Sequence, residues 1–286
     1  MPLQLYEIQG LNSLAFAMLL FLLASGFSLI YGVGRVANLA HGTFYMLGAY
    51  VGFTVAARTG NFWLALVAAP LLGALLGWLI ERLLLRRMRG RELDQVLLTV
   101  GLAFILADVI REIWGADIRS SLPPAALSGL VQIFGVQYPA YQLFVICVGA
   151  VVFVGVQLAL RTSLGARLRA VTSDPEVAAS LGVPVDAITS GTFAGAVALA
   201  AFGGAVGGPI IALAPGLDLT MMLLALIVVV VGGLGSVAGA LVGALIVGIV
   251  DGFGRLLFPE YATFLLFALM VIVLSARPQG LLGKRG

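Results

Sequence analysis

Apolar runs of about 20 residues recur from one end of this chain to the other, the length a helix needs to cross roughly 30 Å of hydrocarbon. In hydrocarbon every backbone N–H and C=O must be satisfied inside the segment, so the runs are helical. With 61% hydrophobic residues, only 10% charged and a mean hydropathy of +1.12, no ordinary soluble domain fits. The sequence reads as an all-α, polytopic transmembrane helical bundle, one domain over residues 1–286 with the lipid bilayer as its solvent.

Spans are expected at about Leu11–Tyr31, Ala37–Ala57, Phe62–Ile80, Val96–Ile113, Tyr141–Leu160, Ile188–Ile211, Thr220–Val231, Ala238–Phe253 and Ala262–Leu274. The seventh is short and interrupted by glycine; as a re-entrant piece it lowers the count from nine to eight. Basic residues set the orientation. On the nine-span count, 12 of the 16 (Arg35, Arg82, Arg86, Arg87, Arg89, Arg91, Arg161, Arg167, Arg169, Arg277, Lys284 and Arg285) fall on the cytoplasmic side. Arg58, Arg111, Arg119 and Arg255 face out. The N-terminus is then periplasmic and the C-terminus cytoplasmic. The net charge of +3 reflects this asymmetry, and no nucleic acid partner is implied. The N-terminal segment lacks a basic residue and a cleavage site, so it reads as a first span rather than a signal peptide.

The longest polar interruption on the cytoplasmic side is residues 161–188. Within it Asp174, Pro175 and Glu176 read as a helix start, with a carboxylate cap, a proline at the first helical position and an acid at the positive helix end. Gly182 and Pro184 read as its stop. Two turns of helix are marginal alone in water, so this one must dock on something. Val177, Ala178 and Leu181 are expected to share its docking face. A partner protein and the lipid interface are the two surfaces available to it. The one sizeable external loop, residues 114–140, carries Asp117, Arg119 and three prolines and is long enough to form a docking surface.

Chemistry is sparse. The single cysteine, Cys147, excludes intrachain disulfides, the single histidine excludes paired-histidine zinc sites, and no phosphate-binding glycine loop is present. Ser236 and His41 are the only pair that could serve an intramembrane serine protease. Asn38 can cap the second span and His41 can bond a neighbouring helix one turn on; functionally the two are candidates for a pathway or gate. Asp251 and Arg255, at i, i+4, and Asp108 and Arg111, at i, i+3, are expected to form ion pairs near the outer ends of their spans, with Glu112 beside them. No charge is expected at mid-membrane, which argues against an ion-coupled carrier and leaves the energy source outside the chain. Glycines spaced by four, such as Gly48 and Gly52 or Gly73 and Gly77, suit close helix packing. Residues 32–42 match residues 233–243 at 5 of 11 positions, an internal likeness.

The runs Gly34–Tyr50 (GRVANLAHGTFYMLGAY) and Gly232–Gly248 (GGLGSVAGALVGALIVG), with the loop 161–188 between them, resemble the permease family of branched-chain amino acid ABC importers, and among these the shorter of the two permease types. The resemblance implies a second permease subunit, two cytoplasmic ATPase subunits that use ATP and Mg, and a periplasmic substrate-binding protein, in a bacterial inner membrane. This chain itself would bind no cofactor. It further implies that Asp174, Pro175, Glu176, Val177, Ala178, Ala179, Leu181 and Gly182 form the coupling helix touching an ATPase. Branched-chain or related small apolar amino acids are the implied cargo. The same architecture also serves urea, short amides and aromatic acids.

Overall fold

The computed structural model describes residues 3–34, 38–133 and 135–283. Arg35, Lys284, Arg285 and the expected span start at Ala37 lie outside the described residues. The helices are α1 (Leu3–Gly34), α2 (His41–Thr59), α3 (Phe62–Leu83), α4 (Glu92–Trp114), α5 (Ala140–Arg161), α6 (Ser163–Ser173), α7 (Pro175–Ser180), α8 (Val185–Gly207), α9 (Leu217–Gly232), α10 (Val237–Leu257) and α11 (Ala262–Ala276). Between α4 and α5 lies a small antiparallel hairpin, β1 (Leu130–Ile133) and β2 (Val136–Pro139). The all-α reading is corrected there: the loop alternates side chains and turns at Gly135, whose φ of +83° suits glycine.

Among the described residues, seven helical stretches are long and apolar enough to cross a membrane: Gln4–Val33, Phe62–Met88, Glu92–Trp114, Ala140–Arg161, Val185–Gly207, Val237–Leu257 and Pro259–Ala276. Two expected spans fall short of that standard. The α2 helix is long enough but diluted by Gly, Thr, Tyr and His, while α9, with 16 residues, rises only about 24 Å.

The α1 helix is the hub, with Leu19 to Ala24 no more than 1% exposed, and it packs against α5, α8, α9 and α10. Around it α3, α4, α5 and α11 present long apolar side chains outward, as lipid-facing helices do. Close approach is built from small residues. A Cβ on Gly48 would run into the Ala201 backbone of α8, and one on Gly73 would meet the Ala201 side chain at 2.8 Å. The interiors of α2 and α3 thereby share one face of α8.

The loops gather at two ends. At one end Asp186 meets Arg86 and Arg89, Gly32 lies against Gly235, and Leu281 N donates to Val231 O at 2.9 Å. Gly32 and Gly235, each near the start of one segment of the internal likeness, therefore meet at that end. At the other, Gln9 Nε2 donates to Gly252 O at 2.7 Å, and Arg119 exchanges backbone hydrogen bonds with Leu213, at 2.9 and 2.8 Å. Every described base of the expected inner set is at the first end, and Arg58, Arg111, Arg119 and Arg255 are at the second.

Candidate functional site

The polar interruption folds as two helices rather than one. Thr162 caps α6, accepting from Leu164 N at 3.3 Å, so Arg167 and Arg169 are helical and not part of a loop. Asp174 Oδ1 then accepts from Glu176 N at 2.9 Å and Val177 N at 3.0 Å, with Pro175 in the first turn of α7. At the far end Gly182 has φ +80°, and Gly182 N and Val183 N donate to Ala179 O and Ala178 O at 2.9 and 3.0 Å. That is the left-handed C-terminal closure only glycine adopts cheaply. Both helix signals are thus made by the residues that carry them.

The expected docking face needs correction. Ala178 is 2% exposed and turned inward, packed with Leu168, Val171 and Ile188 of α6 and α8. Val177 and Leu181 point the other way, 54% and 78% exposed, beside exposed Glu176 and Ala179. Of the residues in this six-residue helix only Ala178 is buried against its neighbours. Leu181, already past the last helical turn, is left outside.

Behind α7 lies a polar cluster the sequence reading passed over. Glu81, its side chain 3% exposed, accepts from Arg89 at 2.6 Å and from the Ser190 hydroxyl. Arg89 and Arg86 also hold Asp186 at the start of α8. Burial works against the charge of Arg89, but hydrogen bonds to Glu81 and Asp186 outweigh it and raise its pKa. Pro175 and Val171 line the same recess as Glu81 and Arg89. The α7 helix packs on α6 and α8 and shares this recess with the end of α3. The signal was available: Glu81 is an acid set into a run of arginines at the end of an apolar stretch.

Asn38 does not cap α2, whose N-cap is Ala40 with no side-chain bond. Instead Asn38 Oδ1 accepts from Ala40 N at 3.2 Å and Asn38 O accepts from His41 N at 3.1 Å, folding the chain into a turn before the helix begins. His41 is fully buried; its Nε2 pairs with Leu23 O at 3.0 Å and its ring packs edge-on against Phe27. Leu23 lies about 16 Å of helix rise from the end of α1, so α2 starts deep inside the bundle. Leu39 N, in the turn, donates to Thr99 Oγ1 of α4 at 3.3 Å. Ser236 caps α10 by accepting from Gly239 N at 3.0 Å, and no hydrogen bond joins it to His41. The two do not form a nucleophile–base pair.

Of the two expected ion pairs, one forms. Arg255 Nε meets Asp251 Oδ2 at 2.8 Å, with the Asp251 side chain 6% exposed. Asp108 and Arg111 do not pair, and among the described residues neither side chain has a hydrogen-bond or ion-pair partner. An exposed i, i+3 pair is worth only a few tenths of a kcal/mol, whereas a buried carboxylate such as Asp251 needs its partner. Asp108 and Arg111 instead line a cavity of about 400 Å³ between α2, α4 and α9, together with Asp218. Asp218, 6% exposed in the first turn of α9, accepts from Thr43 Oγ1 at 3.3 Å. The sequence reading began that span at Thr220 and so missed this acid.

A bundle of apolar helices long enough to cross a membrane, with a capped, two-helix projection at its basic end and an open cavity edged by charged side chains, defines a multi-pass membrane protein. The chain belongs to the family described as the branched-chain amino acid transport system permease component, whose model matches residues 10–274. It is 29% identical to the high-affinity branched-chain amino acid transport system permease protein BraD of Pseudomonas aeruginosa, over 98% of this chain and 96% of that protein. To LivH of Escherichia coli K12, a permease protein of the same description, it is 30% identical over 92% of this chain and 91% of that one. The permease protein LivM of Salmonella typhimurium is 28% identical, over 93% of this chain and 68% of its own length. No solved structure matches the chain.

Proposed function

We propose that this chain is the transmembrane permease subunit of an ATP-driven importer, carrying branched-chain or related small apolar amino acids into the cytoplasm by alternating access. The observation that carries the reading is the α7 projection in a chain of this family. It is rigidly capped at both ends, seated by Ala178, and presents Val177 and Leu181 bare at the basic end of the bundle. Two cytoplasmic ATPase subunits, using ATP and Mg, dock there. A second permease subunit lies alongside, as LivH-like and LivM-like proteins are both relatives, and a periplasmic binding protein delivers cargo at the other end. The setting is the inner membrane of a bacterium, with the N-terminus periplasmic and the C-terminus cytoplasmic, and with eight or nine spans according to whether the short α9 crosses or re-enters; the concentration of arginines at one end supports that orientation.

Closure of the ATPases on ATP pulls on residues 174–182. The Asp186–Arg89–Glu81 cluster passes the movement to α3 and α8, and α8, locked to α2 through Gly48 and Gly52, passes it to the helix start at Asn38 and His41, which acts as the gate hinge. The test is purification of the tagged chain from cells expressing the whole system. A second permease and two ATPase subunits should co-elute, and in a Cys147→Ser background a cysteine at Asp117, but not at Arg87, should react with impermeant maleimide from the periplasm. Elution alone together with ATP-independent uptake would point to a secondary carrier instead.

A further inference from the structure

The cavity between α2, α4 and α9 has an unusual distribution of charge for an apolar bundle. Arg111 and Asp108 stand on one face of α4, about 4.5 Å apart along its axis, and neither is neutralised by the other or by any described side chain. Asp218 reaches the same space from α9, held by Thr43 through one carboxylate oxygen. Much of the remaining wall is apolar, with Met46, Phe104 and Met222 contributing from all three helices. A site with one cation, two anions and a hydrocarbon wall matches a ligand that bears both charges on one carbon and an apolar branch on the same carbon. At about 400 Å³ it falls within the range of small-molecule sites.

We infer that this cavity is the transmembrane way station for the cargo: it binds the zwitterionic head of an apolar amino acid, Arg111 taking the carboxylate, Asp108 and Asp218 facing the ammonium, and the apolar wall receiving the side chain. The assignment rests on the importer reading above. It gives each of two charges that are exposed and unpaired within the chain a counter-charge when cargo is present. The turn before α2 adjoins the same space, because Leu39 is part of the cavity wall. The cavity is open on the side of Phe104, which is 64% exposed, and Leu219, 60% exposed.

The experiment uses the complete transporter in nanodiscs with Cys147→Ser and a reporter Ala107→Cys on the cavity wall, labelled with N-ethylmaleimide. Leucine should slow labelling at concentrations where isopentylamine, which lacks the carboxylate, and 4-methylpentanoate, which lacks the ammonium, do not. Adding Arg111→Gln should raise the leucine concentration needed about tenfold or more, as expected for loss of a charge-assisted hydrogen bond, with Arg111→Lys in between. Equal protection by leucine and by either fragment, or no protection by any of them, overturns the assignment without any added substitution. Leucine uptake by the same complex is measured in parallel. Uptake without protection removes the site and leaves the importer standing; protection without uptake removes the importer reading and leaves the site.

Discussion

Leu181→Asp separates folding from coupling more cleanly than any other substitution in the chain. Leu181 is 78% exposed and follows the last turn of α7, so nothing in the bundle depends on it. If an ATPase groove covers it, truncation to alanine removes three buried carbons at about 0.8 kcal/mol each, scaled by the exposed fraction available to be covered. The loss is about 2 kcal/mol, or roughly 25-fold in ATPase affinity. Aspartate adds the desolvation of an unpaired carboxylate, at least another few kcal/mol, which should abolish stable association. The assay is ATPase binding to permease held in nanodiscs, alongside hydrolysis stimulated by loaded binding protein. Leu181→Ala should bind about 25-fold more weakly, Leu181→Asp should lose stimulation altogether, and both should keep the wild-type melting temperature. Asp174→Ala, which frees two backbone N–H groups, should cost about 1 kcal/mol and give partial loss. Wild-type stimulation in the Leu181→Asp complex would refute the reasoning and leave α7 as a helix resting on lipid.

Further outcomes follow from the same contacts. Arg89→Ala strands the buried Glu81 carboxylate and should destabilise the cytoplasmic end by about 2 kcal/mol, seen as a lowered melting temperature, which Glu81→Gln in the same protein should largely restore. Arg255→Ala should be more damaging than Asp251→Ala, because Asp251 is the buried partner and Arg255, its side chain 65% exposed, can turn to solvent; equal thermal losses would contradict that asymmetry. Gly48→Leu should block the α2–α8 approach and reduce assembled protein on size-exclusion chromatography, whereas Gly101→Leu, with open space around it, should not.

The membrane class, most helix positions and both ends of α7 were legible because hydrophobic runs and caps are local signals. The hairpin at residues 130–139 was not, since four-residue strands in a polar loop carry too little pattern to stand out from a turn. Helix starts were misread where tertiary contacts decide them. Asn38 looks like a cap, but the chain is still turning at that point and the helix begins at His41. Pairing was misread for the same reason: spacing permits Asp108 to meet Arg111, and only burial, as at Asp251, compels it. Glu81 and Asp218 are lone acids at the edges of apolar runs, and their partners, Arg89 and Ser190 in one case and Thr43 in the other, come together only in three dimensions.

Uptake of radiolabelled leucine into proteoliposomes containing this chain, its partner permease and both ATPases, with binding protein added outside and ATP enclosed, tests the central claim most directly. Accumulation should require ATP and Mg, be lost with Leu181→Asp, and be indifferent to collapse of proton and sodium gradients. Uptake that persists without the ATPase subunits, or that follows an ion gradient, would contradict it.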